Sequence, residues 1–266
     1  MIVDAHHHLW RPEAGYAWLD APGLAPIRRP FLPADLTPEL RAAGVGATVL
    51  VEGGRCHPSE TAEFLRYADE TPEIAGVVGW VDVTDPGPLP RSPHLVGVRA
   101  QVQAEPDPDH LDRPDVRRGL AAIADAGLVF DLVIREDQLP AAARAAQAIP
   151  GLRFVLDHLG KPRTFAGWRG PFADLAANPN VTCKLSGLVT EIGPSWTVEA
   201  LRPYIATAVE VFGPSRLMFG SDWPVCLLVA RYGEVLTALR EALPPLPAAA
   251  LDEIFGGTAI RVYGLS

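Results

Sequence analysis

Two histidines near the start of the chain, His6 and His8, are spaced so that their side chains can act together. They lie at the end of an apolar run, residues 2–6, and just after it; this run predicts a β-strand, and successive side chains of a strand point to opposite faces. His6 and His8 would therefore project to one side and His7 to the other. Neutral imidazoles are good ligands for divalent metals, so the pair predicts a metal site. Taken alone, this stretch fits two ordinary histidines equally well.

Other side chains that can bind a metal or react stand at the ends of later apolar runs. The second run ends in the acid Glu52, the sixth is followed by His158, and the eighth is followed by Asp222. The remaining polar residues at the ends of runs are Arg99, Gln101, Arg135, Asp157, Lys184, Ser186 and Ser221. Their recurrence at the ends of separate runs indicates one shared site built by several strands.

The elements that must position these residues are strands alternating with helices. The predicted strands are residues 2–6, 47–52, 74–81, 95–100, 129–134, 153–156, 181–185 and 217–219. The predicted helices are residues 60–69 with Ser59 as N-cap, 115–126, 137–149, 172–177, 198–212, 232–243 and 248–262. The proline-rich segment 82–94 is predicted to be irregular. This alternation predicts an α/β fold, a (β/α)8 TIM barrel forming one domain over residues 1–266; a doubly wound sheet is the alternative.

In such a barrel the active site lies at the C-terminal ends of the strands, and strands one and eight become neighbours on closure. We therefore predict a site for one metal ion, with the ligands His6, His8, His158 and Asp222. Three imidazoles, one carboxylate and no thiolate make zinc the leading candidate, with manganese or another divalent ion as the alternative. Glu52 is predicted either as a further ligand or as a carboxylate that orients His6 or His8.

Five motifs in order along the chain resemble those of one known family. They are Asp4-Ala5-His6-His7-His8-Leu9-Trp10, Gly97-Val98-Arg99, Leu156-Asp157-His158-Leu159-Gly160-Lys161-Pro162, Cys183-Lys184-Leu185-Ser186-Gly187-Leu188 and Met218-Phe219-Gly220-Ser221-Asp222-Trp223-Pro224. The chain resembles the amidohydrolase-type metal-dependent hydrolases, in the branch that contains the L-fuconolactonases and L-rhamnonolactonases. The resemblance extends over essentially the whole chain, to the closing segment 254–259.

The resemblance implies hydrolysis of a sugar-acid lactone, such as L-fuconolactone or L-rhamnonolactone, in a TIM barrel. It assigns His6 and His8 to strand one, His158 to strand six and Asp222 to strand eight. The chain departs from the family in several places. Strand five ends in Arg135 and not in a histidine, and strand four has no carboxylate or lysine that could bridge two metals, so we expect no binuclear centre. Close relatives often carry a histidine where this chain has Ala100, and a glutamine where it has Glu52. Both changes lie near the expected pocket and leave the identity of the lactone open.

Lactone hydrolysis requires an activated water, a group that stabilises the oxyanion and a proton for the departing alkoxide. Asp222 is predicted to act as base and then as acid. Arg99 is predicted to hold a carbonyl or carboxylate, and Lys184 to supply positive charge for the oxyanion. The predicted substrate-binding residues are Trp10, Gln101 and Trp223, the two tryptophans as an apolar wall for a sugar ring.

Composition narrows the possible partners. The net charge is -9 and no lysine- or arginine-rich run is present, which disfavours nucleic acid. No apolar run approaches the roughly 20 residues that cross a bilayer, and the first residues lack the pattern of a secretion signal, so we expect a cytoplasmic protein without membrane contact. Cys56, Cys183 and Cys226 are expected to be free thiols. A homo-oligomer is left open.

Three other functions remain as alternatives. Related barrels with a similar ligand set decarboxylate small aromatic or unsaturated acids, so a metal-dependent lyase is the nearest alternative. Members of the branch differ in whether they need the metal, so a metal-independent lactonase is the second. A non-catalytic barrel that binds a sugar is the third.

Overall fold

A computed structural model describes residues 1–265 and shows eight parallel strands in sequential order around a barrel. The strands are β1 (Ile2–His7), β2 (Val45–Val51), β3 (Ile74–Trp80), β4 (Leu95–Ala100), β5 (Val129–Leu132), β6 (Arg153–Leu156), β7 (Val181–Leu185) and β8 (Leu217–Phe219). All eight predicted strands are present with small shifts at their ends. The predicted TIM-barrel fold is confirmed, and the doubly wound alternative is not needed.

The barrel closes between its first and last strands through main-chain hydrogen bonds. The amide of Asp222 donates to the carbonyl oxygen of His6 at 2.8 Å, and the amide of His8 donates to that of Trp223 at 2.7 Å. Asp4 adds a side-chain clamp, because its Oδ1 accepts hydrogen bonds from the amides of His6 (3.1 Å) and Ser221 (2.8 Å). The segments that carry the predicted metal ligands are thus fixed to each other.

Ten α-helices surround the strands in the described part of the chain. They are α1 (Pro33–Ala43), α2 (Pro58–Glu70), α3 (Pro114–Asp125), α4 (Leu139–Ala148), α5 (Phe165–Ala176), α6 (Leu188–Ile192), α7 (Val198–Phe212), α8 (Tyr232–Ala242), α9 (Ala248–Asp252) and α10 (Thr258–Tyr263). None of the helices within residues 1–265 combines the length and apolar character needed to cross a membrane.

The helices differ from the sequence prediction in four respects. Helices α1 and α6 were not predicted, and α5 begins seven residues earlier than expected, at Phe165. The predicted segment 248–262 is divided by a π-helical turn at Glu253–Gly257. The N-cap assignment of Ser59 is wrong: helix α2 begins at Pro58 after His57, whose ring Nδ1 accepts a hydrogen bond from the Ser59 amide at 3.2 Å. The segment 82–94 is irregular, as predicted.

Buried apolar side chains form two layers. The larger one lies between the strands and the helices, and includes Phe64, Phe130 and Trp168. The smaller one is built from alternate strand residues together with Tyr263 of α10. Alternation between these layers explains why the strands appear in the sequence as continuous apolar runs, since both faces of each strand are covered. The three cysteines are free, as expected.

Candidate active site

The four predicted metal ligands come together at the C-terminal ends of the strands. His6 Nε2 lies 3.1 Å from His8 Nε2. Asp222 Oδ1 lies 3.7 Å from His6 Nε2, 3.5 Å from His8 Nε2 and 3.8 Å from His158 Nε2. Ligand atoms about 2.1 Å from a tetrahedral zinc ion stand about 3.4 Å apart, so these separations are close to those of a formed site.

The second ring nitrogen of each histidine contacts a fixed protein group. His8 Nδ1 lies 2.8 Å from the carbonyl oxygen of Val51, and His158 Nδ1 lies 2.9 Å from Ser186 Oγ. His6 Nδ1 lies 3.2 Å from Asp157 Oδ1. With the proton assigned to Nδ1 in each ring, Nε2 is left as the free ligand atom, and supporting groups of this kind orient metal-binding histidines.

His7 belongs to a different environment. Its Nε2 lies 3.0 Å from Thr48 Oγ1, and burial lowers its pKa to about 3. The ring is fully buried and does not contribute to the convergent set. The geometry therefore agrees with the expected alternation of His6 and His8 against His7.

Burial also sets the protonation states of the convergent residues. It lowers the pKa of His6 well below the ordinary value and that of His158 to about 4. Burial alone would raise the pKa of Asp222, but the nearby rings of His158 and His8 stabilise its ionised form and outweigh burial, so that this pKa lies below its ordinary value. Neutral imidazoles and an ionised carboxylate are the forms that bind a divalent cation, so these residues fit such an ion.

Arg99 is tied to two carboxylates beside this cluster. Its Nε donates to Glu52 Oε1 at 2.6 Å, its Nη1 donates to Asp157 Oδ2 at 2.8 Å, and its Nη2 donates to the Glu52 carbonyl oxygen. Glu52 also accepts from Gln101 Nε2 at 2.5 Å and from the Gly54 amide at 2.8 Å. Glu52 was predicted as a metal ligand or as a carboxylate that orients His6 or His8. In the structure its carboxylate instead contacts Arg99 and Gln101 and orients their side chains.

Lys184 lies beneath His6 and is fully buried. Its Nζ is 2.5 Å from Asp131 Oδ2, 3.0 Å from Asp157 Oδ1 and 3.1 Å from His6 Nδ1. The hydroxyl of Tyr263 lies 2.9 Å from each carboxylate oxygen of Asp131. Lys184 was predicted to face the substrate oxyanion. In the structure its ammonium is surrounded by His6, Asp131 and Asp157 instead.

A cavity of about 470 Å³ opens above the cluster. Five predicted site residues line it, namely His8, Arg99, Gln101, His158 and Asp222. Its volume lies in the range of pockets that enclose small ligands, about 300–1,000 Å³. The cluster therefore faces a space in which a small molecule can reach Asp222.

Trp18 forms the aromatic part of the cavity wall, where the sequence predicted Trp10 and Trp223. Trp10 and Trp223 are each only 2% exposed, and both pack edge-on against Phe31. Trp18 comes from the short 3-10 helix Ala17–Asp20, and its Nε1 donates to the Gly53 carbonyl oxygen at 2.8 Å. It lies in a stretch rich in proline and alanine that has no strand or helix pattern, so no sequence signal distinguishes it from its neighbours.

Sequence reasoning also missed Lys161, Thr190 and Glu191, which line the cavity, and Asp131, which supports it from below. Two of these carried a signal. Asp131 is a charged residue inside the apolar run 129–134, and Lys161 lies within the motif that contains His158. Thr190 and Glu191 belong to α6, which was not predicted.

Comparison with known proteins places this architecture in a family. A family model described as Amidohydrolase matches residues 3–265. An L-fucono-1,5-lactonase of Burkholderia multivorans is 39% identical over 99% of this chain and 96% of its own length. The corresponding L-fucono-1,5-lactonase of Burkholderia ambifaria is 37% identical over 98% of this chain and 94% of its own.

A crystal structure of an amidohydrolase from Burkholderia multivorans with bound zinc superposes with a TM-score of 0.94 at 37% identity, covering 100% of both chains. The agreement in fold spans every strand that contributes to the cluster. Together with the family match, it confirms the resemblance carried by the five motifs. The chain therefore belongs to the amidohydrolase family.

Proposed function

We propose that this protein hydrolyses the ring ester of a sugar-acid lactone, using water activated at one divalent metal ion, with zinc as the first candidate and manganese as the second. The observation that carries the proposal is the convergence of three imidazole Nε2 atoms on one Asp222 oxygen, at 3.5–3.8 Å, on the floor of a cavity. The two relatives named L-fucono-1,5-lactonase support the choice of lactone. L-Fucono-1,5-lactone is therefore the first substrate to test.

The residues that would hold the ion are His6, His8, His158 and Asp222. When bound, a divalent ion supplies Lewis acidity toward a carbonyl oxygen and lowers the pKa of water to near 7. The fixed Nδ1 contacts of the three rings keep their Nε2 atoms in place before the ion arrives. The low pKa values of His6 and His158 mean that no proton has to leave these rings at neutral pH.

Asp222 is the proposed proton carrier. Its lowered pKa keeps it ionised at neutral pH, so it can accept a proton from the attacking water. The water oxygen bonds to the carbonyl carbon, the bond between this carbon and the ring oxygen breaks, and Asp222 returns the proton to the ring oxygen. The product is the open hydroxy acid, which releases one proton to solution at pH 7.

Arg99 and Lys184 are proposed to act through other residues. Arg99 joins Glu52 to Asp157, and Lys184 joins Asp157 and Asp131 beneath His6. With these donors directed at protein carboxylates and, for Arg99 Nη2, at the main-chain carbonyl oxygen of Glu52, both side chains hold the ring of His6 and the rim of the cavity in place. We therefore propose that Arg99 and Lys184 position other residues and do not themselves contact the carbonyl or the oxyanion.

The decisive experiment is a lactone panel. Purified protein is mixed with aldono-1,4- and 1,5-lactones of both enantiomeric series, L-fucono-1,5-lactone first, and proton release is followed in weak buffer. We expect at least one lactone to be hydrolysed, and Asp222→Asn to lower kcat by about 10²- to 10⁴-fold because it removes the general base. No release from any lactone would refute the proposal. Release of carbon dioxide from an aromatic acid would then support the lyase, and sugar binding without turnover would support the non-catalytic barrel.

Metal dependence is tested separately. We expect elemental analysis to find about one divalent ion per chain, and dialysis against a chelator to remove both the ion and the activity. Restoration by zinc or by manganese would identify the preferred ion. Full lactonase activity in protein shown to contain no metal would leave the hydrolase in place and refute the metal requirement.

A further inference from the structure

The chain contains only two lysines, Lys161 and Lys184, among 23 lysine and arginine residues. Both lie at the active site. Lys184 is buried beneath His6, whereas Lys161 lines the cavity with 25% of its side chain exposed. Lysine differs from arginine in carrying a compact ammonium with three freely rotating donors. These are the two positions in the chain that use such a group.

Lys161 is engaged by fewer protein groups than Arg99, the other basic residue considered in the cavity wall. The Nε, Nη1 and Nη2 atoms of Arg99 are all engaged by Glu52 or Asp157. Within residues 1–265, the one acidic partner of Lys161 is Glu191, whose Oε1 lies 3.4 Å from Nζ. An ammonium group has three donors, so Lys161 can keep this contact and still donate to a ligand.

The backbone around Lys161 is held in a conformation that L-residues rarely adopt. Four consecutive residues have positive φ: His158 (52°), Leu159 (54°), Gly160 (72°) and Lys161 (53°). The amide of Lys161 donates to the carbonyl oxygen of His158 at 2.9 Å, closing a left-handed turn. Residues three apart in such a tight turn lie on the same side, which brings Lys161 to the cavity together with His158.

This turn is fixed by its surroundings. Trp168 Nε1 donates to the carbonyl oxygen of Leu159 at 2.7 Å, and Ser186 Oγ lies 2.9 Å from His158 Nδ1. A left-handed residue costs about 1–2 kcal/mol unless it is glycine, and such strain persists where the rest of the structure maintains it. The turn begins at His158 and ends at Lys161, and it places both side chains in the cavity wall.

The wall next to Lys161 offers further polar atoms. Thr190 and Glu191 of α6 line the same cavity. The hydroxyl oxygen of Thr190 is buried and has no hydrogen-bond partner in the part of the chain that the structure describes. A hydroxyl that donates and accepts, a carboxylate that accepts and an ammonium that donates together match neighbouring sugar hydroxyls, each of which is both donor and acceptor.

We propose that Lys161 and Glu191 form the substrate-recognition pair of this enzyme, with Lys161 donating to one hydroxyl of the sugar lactone and Glu191 accepting from its neighbour. The inference rests on the proposed lactonase activity. It assigns these residues to the choice among sugars and leaves the chemical step to Asp222. Loss of the pair therefore weakens substrate binding more than turnover.

The test compares Lys161→Met, Lys161→Arg, Glu191→Gln and the wild type on the lactone that the wild type hydrolyses fastest and on its monodeoxy counterparts. A hydrogen bond to a charged group contributes about 10- to 100-fold in affinity. We expect Lys161→Met to raise KM by this factor with kcat within about threefold, and Lys161→Arg to recover part of the loss. On the deoxy lactone that lacks the contacted hydroxyl, Lys161→Met and the wild type should have equal kcat/KM. The matched control is Arg163→Met, which removes a nearby surface charge and should leave KM unchanged.

Chemical labelling gives a readout that does not depend on turnover. Acetylation with a lysine-selective reagent, mapped by peptide mass spectrometry, should modify Lys161 and spare the buried Lys184. Saturation with the hydroxy acid product should slow the modification of Lys161 at least fivefold. The slowing of Lys161 modification by product is also measured in Glu191→Gln. It should be smaller there than in the wild type if the two residues bind the ligand together.

The outcomes separate the inference from the function on which it rests. A wild type that hydrolyses no lactone overturns both. If the wild type does hydrolyse a lactone, four results would overturn the inference alone. Lys161→Met could leave KM unchanged, lower kcat at constant KM, or reduce kcat/KM equally on every deoxy lactone; or product could fail to protect Lys161. The pair is established if the KM effect of Lys161→Met disappears on one deoxy lactone, that of Glu191→Gln disappears on the lactone lacking the neighbouring hydroxyl, and product protects Lys161.

Discussion

Gly187→Ala is the sharpest perturbation of the site, because it replaces none of the proposed ligands and displaces one of them, His158, through a steric contact. Gly187 has φ of +66° and follows Ser186, the partner of His158. A Cβ at this position would lie 2.7 Å from His158 Cγ and 3.0 Å from His158 Cβ, and closer still to Nδ1. Ordinary contacts of such atoms begin near 3.4 Å, so the imidazole has to retreat.

The size of the effect follows from what the retreat disrupts. Displacement of the ring breaks the contact between His158 Nδ1 and Ser186, and loss of a supporting contact of this kind lowers metal affinity or activity by about 10- to 100-fold. The left-handed backbone adds about 1–2 kcal/mol of strain when the residue is alanine. We therefore expect a variant that folds, loses about 1–3 kcal/mol in the free energy of unfolding and binds the metal about 10- to 100-fold more weakly.

The assay combines chelator competition for metal affinity, urea unfolding and lactone hydrolysis. Gly44→Ala is the matched control, since Gly44 has φ of +68° at the end of α1 and no atom within 4 Å of its built Cβ. It should show the same backbone cost and wild-type metal affinity. If Gly187→Ala bound metal as tightly as Gly44→Ala does, His158 would not be a ligand in the geometry described above, and the reasoning would be refuted.

Two further predictions concern groups around the site. Tyr263→Phe should lower the free energy of unfolding by about 1.5–3 kcal/mol, because the buried Asp131 carboxylate loses a donor 2.9 Å from both of its oxygens; urea unfolding that matches the wild type within about 0.5 kcal/mol would contradict this. Glu60→Gln should remove a pH dependence. Burial, followed by the charge of Glu52, raises the pKa of Glu60 from 4.5 to about 8, so the folded protein keeps a proton that the unfolded chain has released. Wild-type stability should therefore fall by up to about 1.4 kcal/mol per pH unit between pH 4.5 and 8 relative to the variant, whereas two parallel stability curves would show that Glu60 does not titrate in this range.

The strands could be predicted from the sequence because each is covered on both faces and reads as an uninterrupted apolar run. Helix α1 could not be predicted in the same way. It begins at Pro33, contains Pro38 and buries only Leu36 and Leu40, so its helical periodicity is carried by two residues. Helix α6 has five residues, too few to display a period at all.

The convergence of the proposed metal ligands was predictable because the fold brings strand ends together regardless of detail. The partners of the charged residues were not. Lys184 meets Asp131 only because β5 and β7 place these two residues at the same depth, and depth depends on the stagger of the strands, which the sequence does not reveal. Strand-end cations therefore differ in how far they extend: Arg99 lines the cavity, whereas Lys184 contacts Asp131 beneath it.

The ionic cluster under the cavity has a further consequence, which concerns its charge balance. It contains four buried carboxylates, Glu52, Asp131, Asp157 and Asp222, and two buried cations, Arg99 and Lys184. With these groups ionised, two negative charges remain uncompensated in a low-dielectric interior, where unpaired charge is costly. A bound divalent ion would bring the cluster to electroneutrality. In the proposed site, the charge of the protein beneath the candidate ligands would thus favour a doubly charged ion in addition to the ligands themselves, and we expect the metal-loaded protein to melt at a higher temperature than the chelated one.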